Sequence, residues 1–135
     1  GLDTIYDPYY WEDIDLSYRA LKSGYKVLFE RKSVVTHSHE LGAIKQNYSE
    51  AHIKNIAYRN QILFVWLNIT DRIYILSHIL YLPYHLIRAL FFLDTPFLVG
   101  VIRAIICMIK VIDRRRKNKS LAIISDRDVL KNFSS

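Results

Sequence analysis

Over residues 12–24 the apolar positions Ile14, Tyr18 and Leu21 recur at intervals of four and three, the spacing of one helical face, and Gly24 supplies the usual stop. The pattern then changes. Tyr25 to Phe29 and Ser33 to Thr36 are rich in β-formers, joined by the polar Glu30-Arg31-Lys32, and predict two short strands. Leu41 to Ser49 reads as a polar loop around Gly42, and Glu50 to Asn68 as a helix carrying Ile53, Ile56, Ala57, Ile62, Leu63 and Trp66. From Ile73 the chain turns strongly apolar in two blocks, Ile73 to Leu93 and Phe97 to Ile112, separated by Asp94-Thr95-Pro96. A membrane-spanning helix needs about 20 apolar residues, so the first block is long enough and the second is short. Pro83 predicts a kink or break within the first. Leu121 to Ser135 is a tail with one helical turn expected around Asp128 to Phe133 and no evident chemistry, and the chain has no internal repeat and no glycine-rich phosphate loop.

Charged residues interrupt both apolar blocks at helical intervals. His78 and His85 are seven apart with Arg88 three further on, and Arg103 and Lys110 are again seven apart, which predicts a basic stripe on each block. A basic stripe opposite Leu, Ile and Phe suits helices lying in a bilayer interface. A two-pass hairpin and a buried hairpin of a soluble domain are the alternatives the pattern leaves open. Residues 1–60 carry eight acidic and eight basic side chains, so the whole net charge of +6 falls in residues 61–135. Arg114, Arg115, Arg116 and Lys117, with Lys119, follow the second block directly, where they would meet anionic lipid on the cytoplasmic face of the cell membrane. Nucleic acid is the rival partner for such a run, but no reading module accompanies it and it abuts an apolar helix, so no nucleic-acid partner is expected. Hydrophobic content of 51% argues against disorder, and the single cysteine, Cys107, excludes an internal disulfide and fits a reducing compartment.

Candidate chemistry is concentrated in Tyr9 to Arg19, Tyr-Tyr-Trp-Glu-Asp-Ile-Asp-Leu-Ser-Tyr-Arg. Glu12, Asp13 and Asp15 stand at a predicted helix start, directly after aromatic residues. Acidic residues are common there because free backbone N–H groups and the helix dipole favour negative charge. The alternative is a general base held against a substrate that the aromatic residues position. Asp13-Ile14-Asp15 spells the metal-binding pattern Asp-x-Asp, yet residues two apart on a helix point roughly 200° from each other and would not share one ion. His37 and His39, two apart on a predicted strand, project to the same face and could in principle ligate one metal.

Taken in order, Gly1-Leu2-Asp3, Glu12-Asp13-Ile14-Asp15-Leu16-Ser17-Tyr18-Arg19, Gly24-Tyr25-Lys26-Val27, Val34-Val35-Thr36-His37 and Tyr58-Arg59-Asn60 resemble the C-terminal part of the catalytic domain of family 2 glycosyltransferases, of the rhamnosyltransferase-like kind that builds bacterial cell-surface glycans. The resemblance covers about the first 60 residues. It departs at Thr4, where the family's opening turn often has Glu.

The resemblance implies an α/β fold: the C-terminal fragment of a glycosyltransferase A-type, Rossmann-like domain over residues 1–60. Amphipathic, membrane-associated helices would follow over 61–113, and a basic segment and tail over 114–135. It implies inverting transfer from a nucleotide-sugar donor to a lipid-linked or cell-surface glycan acceptor, with Asp13 as general base. Glu12, Trp11 and Asp3 would bind or orient the acceptor. His37, with His39 and Glu40 less directly, would lie near the diphosphate and a divalent metal, Mg or Mn. Arg59-Asn60 would pack its helix on the catalytic part. The nucleotide-binding half is expected upstream, so the chain reads as an enzyme fragment inactive by itself, docked peripherally or by a hairpin. A non-catalytic membrane-associated adaptor that retains part of the fold is one alternative, and a plain helical membrane protein whose acidic start is incidental is another.

Overall fold

The computed structural model of the chain describes residues 1–34 and 43–131. Its elements are a single 3-10 turn, Thr4–Tyr6, followed by α1 (Glu12–Lys22), α2 (Ala43–Asn47), α3 (Glu50–Asn68), α4 (Arg72–Phe91), α5 (Thr95–Ile106), α6 (Met108–Leu121) and α7 (Asp126–Lys131).

The expected α/β class is thereby corrected: every regular element among the described residues is helical, and no strand is present among them. Tyr25–Phe29 has no regular structure, and Tyr25, Val27, Leu28 and Phe29 all stand exposed. Ser33 and Val34 are likewise irregular, while Val35 and Thr36 lie outside the described residues. The physical reason is that β-propensity describes fit to a pleated surface. Without a neighbouring strand to pair its N–H and C=O groups, a run of β-formers gains nothing from extension.

The helix α3 is central. One side packs on α5 and α6 through Ile62, Leu63, Leu67, Val101, Ala104 and Val111, and the 3-10 turn adds Ile5 and Tyr6 to this core. The approach of α5 to α3 depends on Gly100, where a Cβ would lie 2.9 Å from the Tyr58 Cβ and 3.0 Å from the Asn55 carbonyl oxygen. A smaller cluster of Tyr18, Ile69 and Val129 joins α1, the α3–α4 link and α7. The chain after α6 folds back onto the end of α1, where the N–H groups of Ile123 and Ile124 both donate to the Lys22 carbonyl at 2.8 and 3.0 Å. Gly24 is required there by its φ of +85°, with the side-chain end of Ile123 close beside it.

Helix starts follow from capping. Ser49 Oγ accepts from the His52 N–H at the start of α3, and the Asp94 carboxylate accepts from the Phe97 N–H at the start of α5, with Pro96 in the first turn. Pro83 does not break α4, which continues through it as one 20-residue helix. The second apolar block is two helices rather than one, because α5 and α6 are bent by 69° at Cys107. Among the described residues α4 is the one helix long and apolar enough to cross a membrane by itself, and only 6% of its apolar window is buried inside the protein. Neither residue 60 nor residue 113 interrupts a helix: α3 and α6 run through them.

Candidate functional site

The acidic start of α1 is presented by a segment that α3 holds from behind. Asn60, fully buried, shares its two side-chain amide hydrogens among the carbonyls of Tyr6, Tyr9 and Tyr10, which lie at 2.7, 2.9 and 2.9 Å from Nδ2. Arg59 donates its Nε to Asn60 Oδ1 at 2.8 Å and reaches the Asp7 carbonyl with a second nitrogen. Within the segment so held, Tyr10 and Trp11 lie at φ 71° and 76°, in the left-handed region that bulky residues avoid. The Trp11 ring packs on Phe64 with centroids 5.3 Å apart, and α1 begins at the next residue.

The three carboxylates of that first turn have three different surroundings. Asp15 is 0% exposed; its oxygens accept from the Tyr6 hydroxyl at 2.9 Å, the Asn68 amide at 2.7 Å and Arg19 Nε at 2.7 Å. Burial and the adjacent Asp15 charge push the Tyr6 phenol far up, so it remains a proton donor to Asp15. Glu12 is half-buried, with one oxygen sealed from solvent and unpartnered. It shares a recess of about 190 Å³ with Asp3, Thr4, Tyr6, Asp7 and Tyr9. Asp13 is exposed and lines a separate, open recess of about 300 Å³ with Ile14, Ser17, Tyr18 and Leu21. Asp13 and Asp15 thus diverge, one to solvent and one to the core, as helical geometry requires.

Of the residues expected to orient an acceptor, Asp3 and Glu12 are brought together, but on the other side of the helix start from Asp13. Asp3 is also engaged structurally, accepting from the Ile5 N–H at 3.0 Å and pairing with Arg114. Trp11 packs against the core, not into either recess. His37, His39 and Glu40 lie outside the described residues. Among the described residues no three His, Cys, Asp or Glu side chains converge into a metal seat, so these residues do not by themselves fit the expected Mg or Mn.

A second buried centre closes the other end of α1, through residues in which the sequence showed no chemistry. Asp126, 0% exposed, accepts from Lys22 Nζ and the Tyr18 hydroxyl, each at 2.6 Å, and from the backbone N–H groups of Thr70 and Asp71 at 2.7 and 2.6 Å. Burial alone would raise its pKa, but the bonds from Lys22, Tyr18, Asp71 and Thr70 outweigh it and hold the carboxyl below its ordinary value. No local signal marks Asp126 or Asn68, because their partners lie tens of residues away.

The expected membrane-facing basic residues divide. Arg103 donates to Asn55 Oδ1 at 3.1 Å, Arg114 pairs with Asp3, and Arg115 donates to the Trp66 carbonyl at 2.5 Å, so these three, each partly exposed, also bond within the protein. The bend at Cys107 separates Arg103 from Lys110, and the 100° step of a helix spreads four consecutive basic residues around α6. Lys110, Arg116 and Lys117 are exposed. Arg88 is exposed over the Phe92 ring, at 5.8 Å from its centroid, and lines the largest cavity. Comparison with protein-family models, curated proteins and solved structures finds no match, so any assignment rests on the residues themselves.

Proposed function

We propose that the chain is the acceptor-side, membrane-docked end of an inverting glycosyltransferase of the family 2 kind, moving a sugar from a nucleotide-sugar donor to a lipid-linked or cell-surface glycan, with Asp13 as general base. The observation that carries this reading is the division among the α1 carboxylates. Asp15 is committed to the core and Glu12 is half-buried, while Asp13 is open to an incoming hydroxyl on a helix start held by Arg59 and Asn60. Accessibility combined with a fixed position is what a general base needs.

In the reaction Asp13 accepts the proton of the acceptor hydroxyl while that oxygen bonds to the anomeric carbon. The bond from that carbon to the nucleoside diphosphate breaks, and its electron pair leaves with the diphosphate. Donor binding and any divalent metal belong, on this reading, to segments other than the described residues. Docking at the cytoplasmic face of the cell membrane is supported by α4, whose apolar side chains are mostly exposed, and by Lys110, Arg116 and Lys117 on α6.

The test uses the full-length protein. Asp13→Asn should lower transfer by roughly 10²–10⁴-fold while leaving donor binding largely intact. Transfer by that variant at near wild-type rate overturns the assignment of the base.

A further inference from the structure

The largest cavity, about 400 Å³, lies between α3, α4 and α5, away from the start of α1. Its α4 wall carries His78, His85 and Arg88, which share one face at seven- and three-residue intervals. Trp66 Nε1 donates to His78 Nε2 at 3.0 Å, which leaves Nδ1 to carry the proton of the neutral ring and to act as a donor. The carboxylate in this wall, Asp94, is engaged in capping α5 through the Phe97 N–H. The remaining polar set is therefore rich in donors and suits a terminal phosphate. Tyr81 and Phe92 line the same cavity and yet are 62% and 69% exposed, so its mouth opens onto the apolar surface of α4.

From this combination we infer that the cavity binds the terminal phosphate of a phosphomonoester lipid, with the lipid tail lying along the exposed apolar face of α4. Charge complementarity comes from Arg88, with the imidazoles as N–H donors, and the exposed Tyr84 and Phe91, whose rings contact the cavity-lining His85 and Phe92, provide the apolar surface that a free phosphate would not use. The inference rests on membrane docking by α4 and is independent of catalysis by Asp13.

The experiment measures binding of the purified full chain to phosphatidylcholine vesicles doped with phosphatidic acid or, at matched surface charge, with phosphatidylserine. Wild-type protein should prefer the phosphatidic acid vesicles. The pair Arg88→Gln with His85→Gln, both at exposed positions, should weaken that binding by roughly fivefold to tenfold and weaken phosphatidylserine binding distinctly less. Equal binding of wild-type protein to both vesicles, or an equal loss on both in the variant, reduces the effect to general surface charge and overturns the site. Displacement from phosphatidic acid vesicles by millimolar inorganic phosphate assigns the cavity to free phosphate and overturns the lipid. Absence of binding to every vesicle overturns docking itself, whereas an inactive Asp13→Asn enzyme that still prefers phosphatidic acid keeps the two readings distinct.

Discussion

Asn60 and Asp13 illustrate how differently two polar residues contribute. Asn60 fills the hydrogen-bonding needs of three loop carbonyls from a position with no access to water. Removing it leaves buried acceptors unsatisfied, and Asn60→Ala should cost about 1–3 kcal/mol or more, read as a lowered urea midpoint. Because Asp13 is exposed, Asp13→Asn should stay within about 0.5 kcal/mol of wild type in the same measurement. Comparable destabilisation by the two substitutions would show that Asp13 is a structural residue and not a poised base. The first-turn carboxylates are legible in the sequence as a group, because helix starts favour acidic residues. Their individual fates are not: Asp15 is buried only because Tyr6 and Asn68, 9 and 53 residues away, meet it.

At the scale of elements, α1 is bracketed by two ionic centres, Asp15 with Arg19 at one end and Lys22 with Asp126 at the other. The second makes α7, a helix of 6 residues, part of the fold instead of a loose tail. Asp126 has a depressed pKa in the folded protein, so its stabilisation is fully present above the ordinary carboxylate value and is lost as pH falls through the folded value. Urea midpoints should therefore fall from about pH 4 downward. Asp126→Asn should remove that part of the pH dependence and, by leaving the Lys22 ammonium buried without its counter-charge, cost about 3–5 kcal/mol near neutral pH. A variant with the same acid sensitivity as wild type would assign the effect to other carboxylates. Helix periodicity made α1 and α3 legible from sequence, α3 to its end residues, because an amphipathic repeat is a local property. It could not show that Tyr25–Phe29 lacks a partner strand among the described residues, or that α5 and α6 part at Cys107, because pairing and bending are decided by neighbours outside the window.

For the whole molecule, the apolar surface is too extensive to be ordinary. On α4, Ile73, Leu76, Ile79, Leu80, Ile87, Leu90 and Phe91 are all exposed, and Ile102, Ile105, Ile109 and Ile112 add exposed apolar side chains from α5 and α6. Contiguous apolar patches beyond a few hundred Å² are uncommon on monomeric soluble proteins, so such a face calls for a cover. A bilayer and a second copy of the chain both provide one, and they respond differently to charge. Ile79→Glu with Ile87→Glu, at sites 58% and 69% exposed, leaves the core untouched but should weaken vesicle binding by at least roughly tenfold, since each isoleucine contributes about 1.5–3 kcal/mol when fully buried. Arg116→Gln with Lys117→Gln should instead act only on anionic vesicles and lose its effect as salt is raised, because exposed charges interact within a Debye length. If the double glutamate variant binds vesicles undiminished while its size in solution falls from oligomer to monomer, the face joins copies of the chain, and the membrane must be engaged elsewhere.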